Sequence, residues 1–272
     1  MSIPKLELIS VLPERQARPA PLLFVHGAWH AAWCWQEHFL PYFAGQGYEC
    51  HALSLRGHGG SECHSRLRWH RAQDFVRDIG HVAGQLSTPP IVVGHSMGGF
   101  VAQQLWLDRP DLISHLILAS TNFGGPNHVP ITQQALAVMM DISQDPVTQL
   151  RNGVALAAAP GFVERQPERF ESIIAYRLTG PVPPAAYQAQ LGVGLGLVDP
   201  AKAFERHLPS VTVPTLVLFG EHDLVVPPAN AELFANLIPD CQVAILPDTG
   251  HIFPLEEPAA AAAVISEFLH AR

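Results

Sequence analysis

Apolar residues along this chain gather into short runs separated by helical patterns. Runs such as Leu22-Leu23-Phe24-Val25, Ile91-Val92-Val93, Leu116-Ile117-Leu118-Ala119 and Thr215-Leu216-Val217-Leu218-Phe219 lack polar alternation. Strands of this kind are covered on both faces, as in a parallel sheet flanked by helices. The pattern predicts strands over residues 21–26, 48–55, 90–94, 115–120, 215–219 and 242–246, with an imperfectly alternating edge strand over 5–11. Helical periodicity predicts helices over 36–45, 72–86, 97–108, 229–237 and 258–271. Pro228 and Pro258 stand where helices would start, and Pro110 stands where one would stop. The alternation predicts an α/β fold on a mostly parallel, doubly wound sheet.

From residue 122 to 209 the strand signal lapses. This stretch is rich in proline and carries amphipathic segments at 131–142, 147–156, 164–178, 184–191 and 200–207. A span of that length is not a plain loop in a compact domain. It predicts a helical cap inserted before the penultimate strand. Residues 1–121 and 210–272 then form the two parts of one core. A second independent domain is the alternative, disfavoured because both ends must return to neighbouring strands.

The strongest chemical signal is Gly94-His95-Ser96-Met97-Gly98-Gly99, placed between a strand run and a helical pattern. Strand, sharp turn and helix are the context of a nucleophile elbow, in which side chains two positions either side of the serine would collide. Ser96 is therefore the expected nucleophile. A serine hydroxyl needs a base, and fifteen histidines are on offer. Position selects His251, which follows the last strand run on a Gly-containing loop at the carboxyl edge of the sheet. His222 is a weaker rival. Asp223, just past the preceding strand, is the expected acid that orients the imidazole, with Glu221 and Asp248 as competitors. Asp248 reads instead as an Asx turn. The N–H groups of Ala28 and Met97 are the expected oxyanion donors, one after the His26-Gly27 turn and one at a helix start. His26 is expected to brace that turn. Gly27 and Trp29 are expected to line the substrate pocket, with Trp33 and Trp35 packing on the first helix. Met139, Met140, Phe162 and Tyr187 are candidates for a pocket roof, with helix-core packing favoured for most. His95, as a strand neighbour of Ser96, is expected to point away from it and is assigned no chemistry.

With His26-Gly27, Ser54-Leu55-Arg56-Gly57-His58-Gly59, the elbow, Gly220-Glu221-His222-Asp223 and Gly250-His251, the chain resembles the α/β-hydrolase family over nearly all of its length outside the cap. The stretch from Val25 to Trp35 is similar to the plant methylesterase and hydroxynitrile lyase branch. That likeness also implies Ala28 and Met97 as the oxyanion residues. The lyases carry threonine where Gly27 stands and lysine where Ile252 stands, so cyanohydrin cleavage is not expected. The resemblance implies a carboxylesterase-like enzyme acting through an acyl-enzyme, and the apolar cap suggests a small or medium, mainly apolar ester. A C–C bond hydrolase, lactonase or perhydrolase with the same residues is the alternative, as is a ligand receptor built on the same pocket.

Charge and composition narrow the partners. The formal charge is −8, Lys5 and Lys202 are the only lysines, and no basic stripe occurs, so no nucleic-acid partner is expected. No apolar run reaches the length of a membrane span, and the N-terminus lacks the pattern of a signal peptide. Cys34, Cys50, Cys63 and Cys241 are scattered, which suits reduced thiols and a cytoplasmic setting. Phosphate-binding glycine loops are absent, and His58, His64 and His70 lack metal-ligand spacing, so neither cofactor nor metal is expected.

Overall fold

A computed structural model of the chain describes residues 3–62, 72–141, 143–179, 199, 201 and 203–271. Its sheet contains β1 (Leu8–Val11), β2 (Leu22–Val25), β3 (Cys50–Leu53), β4 (Ile91–His95), β5 (His115–Ala119), β6 (Thr215–Gly220) and β7 (Cys241–Leu246). The spatial order is β1-β3-β2-β4-β5-β6-β7. β1 runs antiparallel to β3 and every other pairing is parallel. The α/β expectation therefore holds, including the edge strand.

The helices are α1 (Trp33–Gln36), α2 (Phe39–Gly45), α3 (Ala72–Ala83), α4 (Met97–Asp108), α5 (Gln133–Met140), α6 (Pro146–Ala157), α7 (Phe162–Arg165), α8 (Pro167–Thr179), α9 (Ala229–Leu237), α10 (Phe253–Glu256) and α11 (Pro258–His270). The single helix expected over 36–45 is two. Pro41 lies in the first turn of α2, where its ring would clash with the carbonyl of residue 37 if the helix ran through. The helix expected over 164–178 divides likewise, because Pro167 opens α8 and the residue before a proline is pushed out of helical geometry. Residues 205–210 form a 3-10 helix, not the end of an α-helix over 200–207. The segment 184–191, Tyr187, Cys63, His64, His70, Pro200 and Lys202 lie outside the described residues.

Alternation along the strands builds two apolar layers. Leu23, Val25, Val92 and Leu118 face α3, α4 and α9 through Phe75, Ile79, Leu105 and Phe234. Leu22, Phe24, Val93 and Ile117 face the opposite side, against Trp35, Phe39, Phe43 and Phe268. Each such side chain stabilises the fold by about 1.5–3 kcal/mol on burial. Helices α5 to α8 leave the sheet after β5 and return before β6. They hold a third cluster, in which Val154, Ala158, Phe162, Phe170, Ile173 and Ile174 pack with Ile252 from the loop after β7.

The chain leaves β2 toward β3 on one side and returns to β4 on the other. Open parallel sheets bind ligands at the strand ends beside such a reversal. Here that point lies between the ends of β2 and β4, where the His26-Gly27 turn meets Ser96.

Candidate active site

Ser96 joins β4 to α4 with φ 53 and ψ −116. Non-glycine residues rarely occupy this region, and it persists only where the surroundings enforce it. The glycines on either side leave the room. A Cβ on Gly94 would stand 2.6 Å from Gly98 O, and one on Gly98 would stand 2.5 Å from Val25 O. The Ser96 N–H donates to Ala119 O at 2.8 Å, tying the turn to the neighbouring strand.

His251 reaches this turn from the loop after β7. Its Nε2 lies 3.0 Å from Ser96 Oγ, and its Nδ1 lies 2.8 Å from Asp223 Oδ2. Asp223 is buried just past β6, and its Oδ1 accepts from the N–H groups of Val225 (2.9 Å) and Val226 (2.8 Å). Those two bonds orient the carboxyl group and leave Oδ2 to the imidazole. With Nδ1–H donating to Asp223, Nε2 is the acceptor that faces the serine hydroxyl. The structure thus brings together the three residues expected from sequence.

The turn after β2 presses on the same point. A Cβ on Gly27 would lie 3.0 Å from both Ser96 Cβ and His95 Nδ1. Ala28 follows directly, and the partly buried Trp29 holds a left-handed φ of 62. Met97 is buried and opens α4, so its amide lacks an acceptor within its own helix. Both amides expected to serve an oxyanion therefore belong to segments in contact with Ser96. His26 braces the turn: its Nε2 accepts from Leu55 N–H at 3.0 Å and its Nδ1 bonds Gly27 O at 2.7 Å. Burial holds His26 well below the usual histidine range, which keeps it neutral and able to accept.

The other tryptophans separate. Trp35 is core, packed on Phe24 and Phe39. Trp33 instead stacks on Tyr176 of α8, with centroids 5.1 Å apart and planes 6° from parallel, and on His30 at 5.4 Å. Phe162 packs within the third cluster, whereas Met140 is exposed. Glu221 and Asp248 do not compete for the imidazole. Their carboxylates lie near the partly exposed His222 instead, 3.8 and 4.0 Å from its Nε2. Asp248 carries no Asx turn; its backbone N–H donates to Glu221 Oε2 at 3.1 Å, and its φ is 53.

His95 corrects the sequence reading. Its ring lies beside the loop that carries His251, with the two ring centroids 5.0 Å apart. His95 Nε2 bonds the backbone carbonyl of His251 at 2.8 Å. Burial, with His251 nearby, pushes His95 down to about 3, so the ring stays neutral and its N–H donates. β4 ends at His95, so strand alternation does not reveal what this ring meets. Glu256 carries no motif either, yet its buried carboxylate accepts from Gly250 N–H at 2.9 Å, immediately before His251.

Comparison with known proteins agrees with this architecture. The model of the family described as serine aminopeptidase, S33, matches residues 16–258. BpoC of Mycobacterium tuberculosis (strain CDC 1551 / Oshkosh), named provisionally as a non-heme bromoperoxidase, is 26% identical over 91% of this chain and 93% of its own length. The crystal structure of BpoC from strain H37Rv superposes with a TM-score of 0.79 at 23% identity, covering 99% of this chain and 97% of that one. The pimeloyl-acyl-carrier-protein methyl ester esterase of Aromatoleum aromaticum (strain DSM 19018 / LMG 30748 / EbN1) is 27% identical over 90% of this chain and 96% of its own length. Sheet order, strand-to-helix elbow and a family match over most of the length lead to one assignment: this chain is an enzyme of the serine aminopeptidase S33 family of α/β-hydrolases.

Proposed function

We propose that this enzyme hydrolyses a carboxylic ester of small or medium, mainly apolar character, with Ser96 as nucleophile, His251 as base and Asp223 as its orienting acid. The observation that carries the reading is the bonded series Ser96 Oγ, His251 Nε2, His251 Nδ1 and Asp223 Oδ2, with links of 3.0 and 2.8 Å. Ser96 attacks the ester carbonyl while His251 takes its proton. The N–H groups of Ala28 and Met97 hold the oxyanion, and Asp223 stabilises the imidazolium. Collapse releases the alcohol with the proton from His251 and leaves an acyl-enzyme. Water then attacks with the same base, returning the free acid and Ser96.

Residues 122–209 act as a cap in this reading, and Gly27 and Trp29 line the pocket. The relative in Aromatoleum aromaticum named as a methyl ester esterase supports an ester as substrate. The free Cys34, Cys50 and Cys241 fit a reducing, cytoplasmic setting.

A fluorophosphonate probe and a panel of p-nitrophenyl esters of increasing acyl length test the reading. Folded protein is expected to be labelled at Ser96 and to prefer short to medium acyl chains. Ser96→Ala should abolish labelling and lower kcat by roughly 10⁴–10⁶-fold. Absence of labelling in folded wild type overturns the proposal. Turnover of lactones or vinylogous diketones, with the ester panel inert, would reassign the substrate and keep the residues.

A further inference from the structure

Glu256 lies at the end of α10 with its side chain almost wholly buried, 2% exposed. Buried carboxylates are rare unless bonded, and this one divides its two oxygens between two segments. Oε1 accepts from Gly250 N–H at 2.9 Å, on the loop that carries His251. Oε2 accepts from Ala159 N–H at 2.7 Å, just beyond α6 in the inserted helices. The two segments meet closely around it. A Cβ on Gly250 would lie 2.6 Å from Ala158 C and 2.8 Å from Ala159 N, so a larger residue would force them apart. Ile252 N–H donates to Ala157 O at 3.3 Å, and Ile252 packs into the cluster of the inserted helices. Further out, Arg169 Nε donates to Leu255 O, and Gln166 Nε2 donates to Glu257 Oε1 at 2.9 Å. At the residue after Gly250, His95 holds the His251 carbonyl at 2.8 Å.

We propose that Glu256 is a positioning residue that couples the inserted helices to His251, so that the place of the base depends on how those helices are docked. The inference rests on His251 being the base of the proposed reaction. Glu256 touches none of the reacting atoms. It sets the segment Gly250-His251 between a fixed contact from the sheet, through His95, and a contact from the inserted helices, through Ala159. Displacement of the helices at Ala159 pulls on the carboxylate and hence on the backbone next to the imidazole.

The chemistry of the carboxylate supplies a readout that simple packing lacks. Burial raises Glu256 to about 7; the Ala159 and Gly250 N–H groups and His251 pull it down, and Asp223 pushes it up. Asp223 and His251 are the ionisable groups that act on it, while Arg169 and Glu257 bond in the outer contacts given above. Below about 7 the group gains a proton and one oxygen becomes a donor facing an N–H. Above that pH both oxygens accept. The two bonds strengthen as pH rises through this point.

Glu256→Gln keeps the volume but sets an NH₂ against one of the two N–H donors. With wild type first shown to be labelled at Ser96, the variant is expected to lower kcat about 10- to 100-fold with KM within about threefold. The pH profile of its fluorophosphonate labelling rate should show one ionisation fewer than that of wild type. Ala159→Pro removes the donor on the inserted side and leaves the carboxylate untouched. It should lower kcat in the same direction, and the double variant should be no slower than Glu256→Gln alone. A lowered Tm with unchanged kcat and pH profile in the folded variant overturns the proposal. If Glu256→Gln does not fold, an unaltered kcat in Ala159→Pro overturns it instead. Failure of wild type to label refutes the ester-hydrolase reading itself and is read before any variant.

Discussion

Ser96 and His251 arrive at the same point by opposite means. The serine is placed by what is next to it in the chain: a buried strand, glycines that admit close backbone approach, and a helix that begins one residue later. The histidine lies on a loop, and its ring and carbonyl are fixed by residues far along the chain, Asp223 at Nδ1 and His95 at the carbonyl. Glu256, six residues after Gly250 and outside the turn itself, holds the preceding amide. A locally enforced residue keeps its geometry as long as the sheet is intact. A residue held by remote contacts inherits the motion of each of them.

Three substitutions would break or sharpen that contrast. Asp223→Asn is expected to have the largest effect, because an amide cannot hold the imidazole in the tautomer that leaves Nε2 free. A loss of about 10⁴-fold in kcat with little change in folding is the expected result, read by ester turnover beside near-UV circular dichroism. Gly98→Ala attacks the local device. Its Cβ would stand 2.5 Å from Val25 O and 2.8 Å from His26 O, both backbone atoms that cannot swing aside. Denaturant unfolding should show a loss of about 1–3 kcal/mol or more, as for other overpacked sites, with activity falling in the folded protein. His95→Leu attacks the remote device. It leaves the His251 carbonyl without the 2.8 Å donor and should cost about 1–3 kcal/mol of stability. Its mark is a kcat loss larger than the fall in Tm explains. Equal tolerance of both changes would contradict the contrast.

The same contrast explains what was legible in the sequence. The elbow is readable because its causes are contiguous: Ile91 to Val93, then Gly94, Ser96 and Gly98, then a helix that spans Met97–Asp108 as expected. Asp223 and His251 are legible from their place after strand runs, since a parallel sheet collects its strand ends on one edge. The partners of His251 could not be found that way. His95 and His251 are 156 residues apart, and alternation along a strand says nothing of what a loop will lay against it. Glu256, between Pro254 and Pro258, reads as an ordinary acid ahead of a terminal helix. Only the fold reveals that a backbone amide from the inserted helices faces it. Prolines explain the two divided helices, where periodicity continued across residues that the backbone could not.

The stack of Trp33 on Tyr176 has an optical consequence. One ring belongs to α1, beside the turn after β2, and the other to α8 of the inserted segment. Any shearing of those helices over the sheet must slide one aromatic face across the other. That stack therefore places an indole where α1 meets α8, and its fluorescence would report any change in their packing.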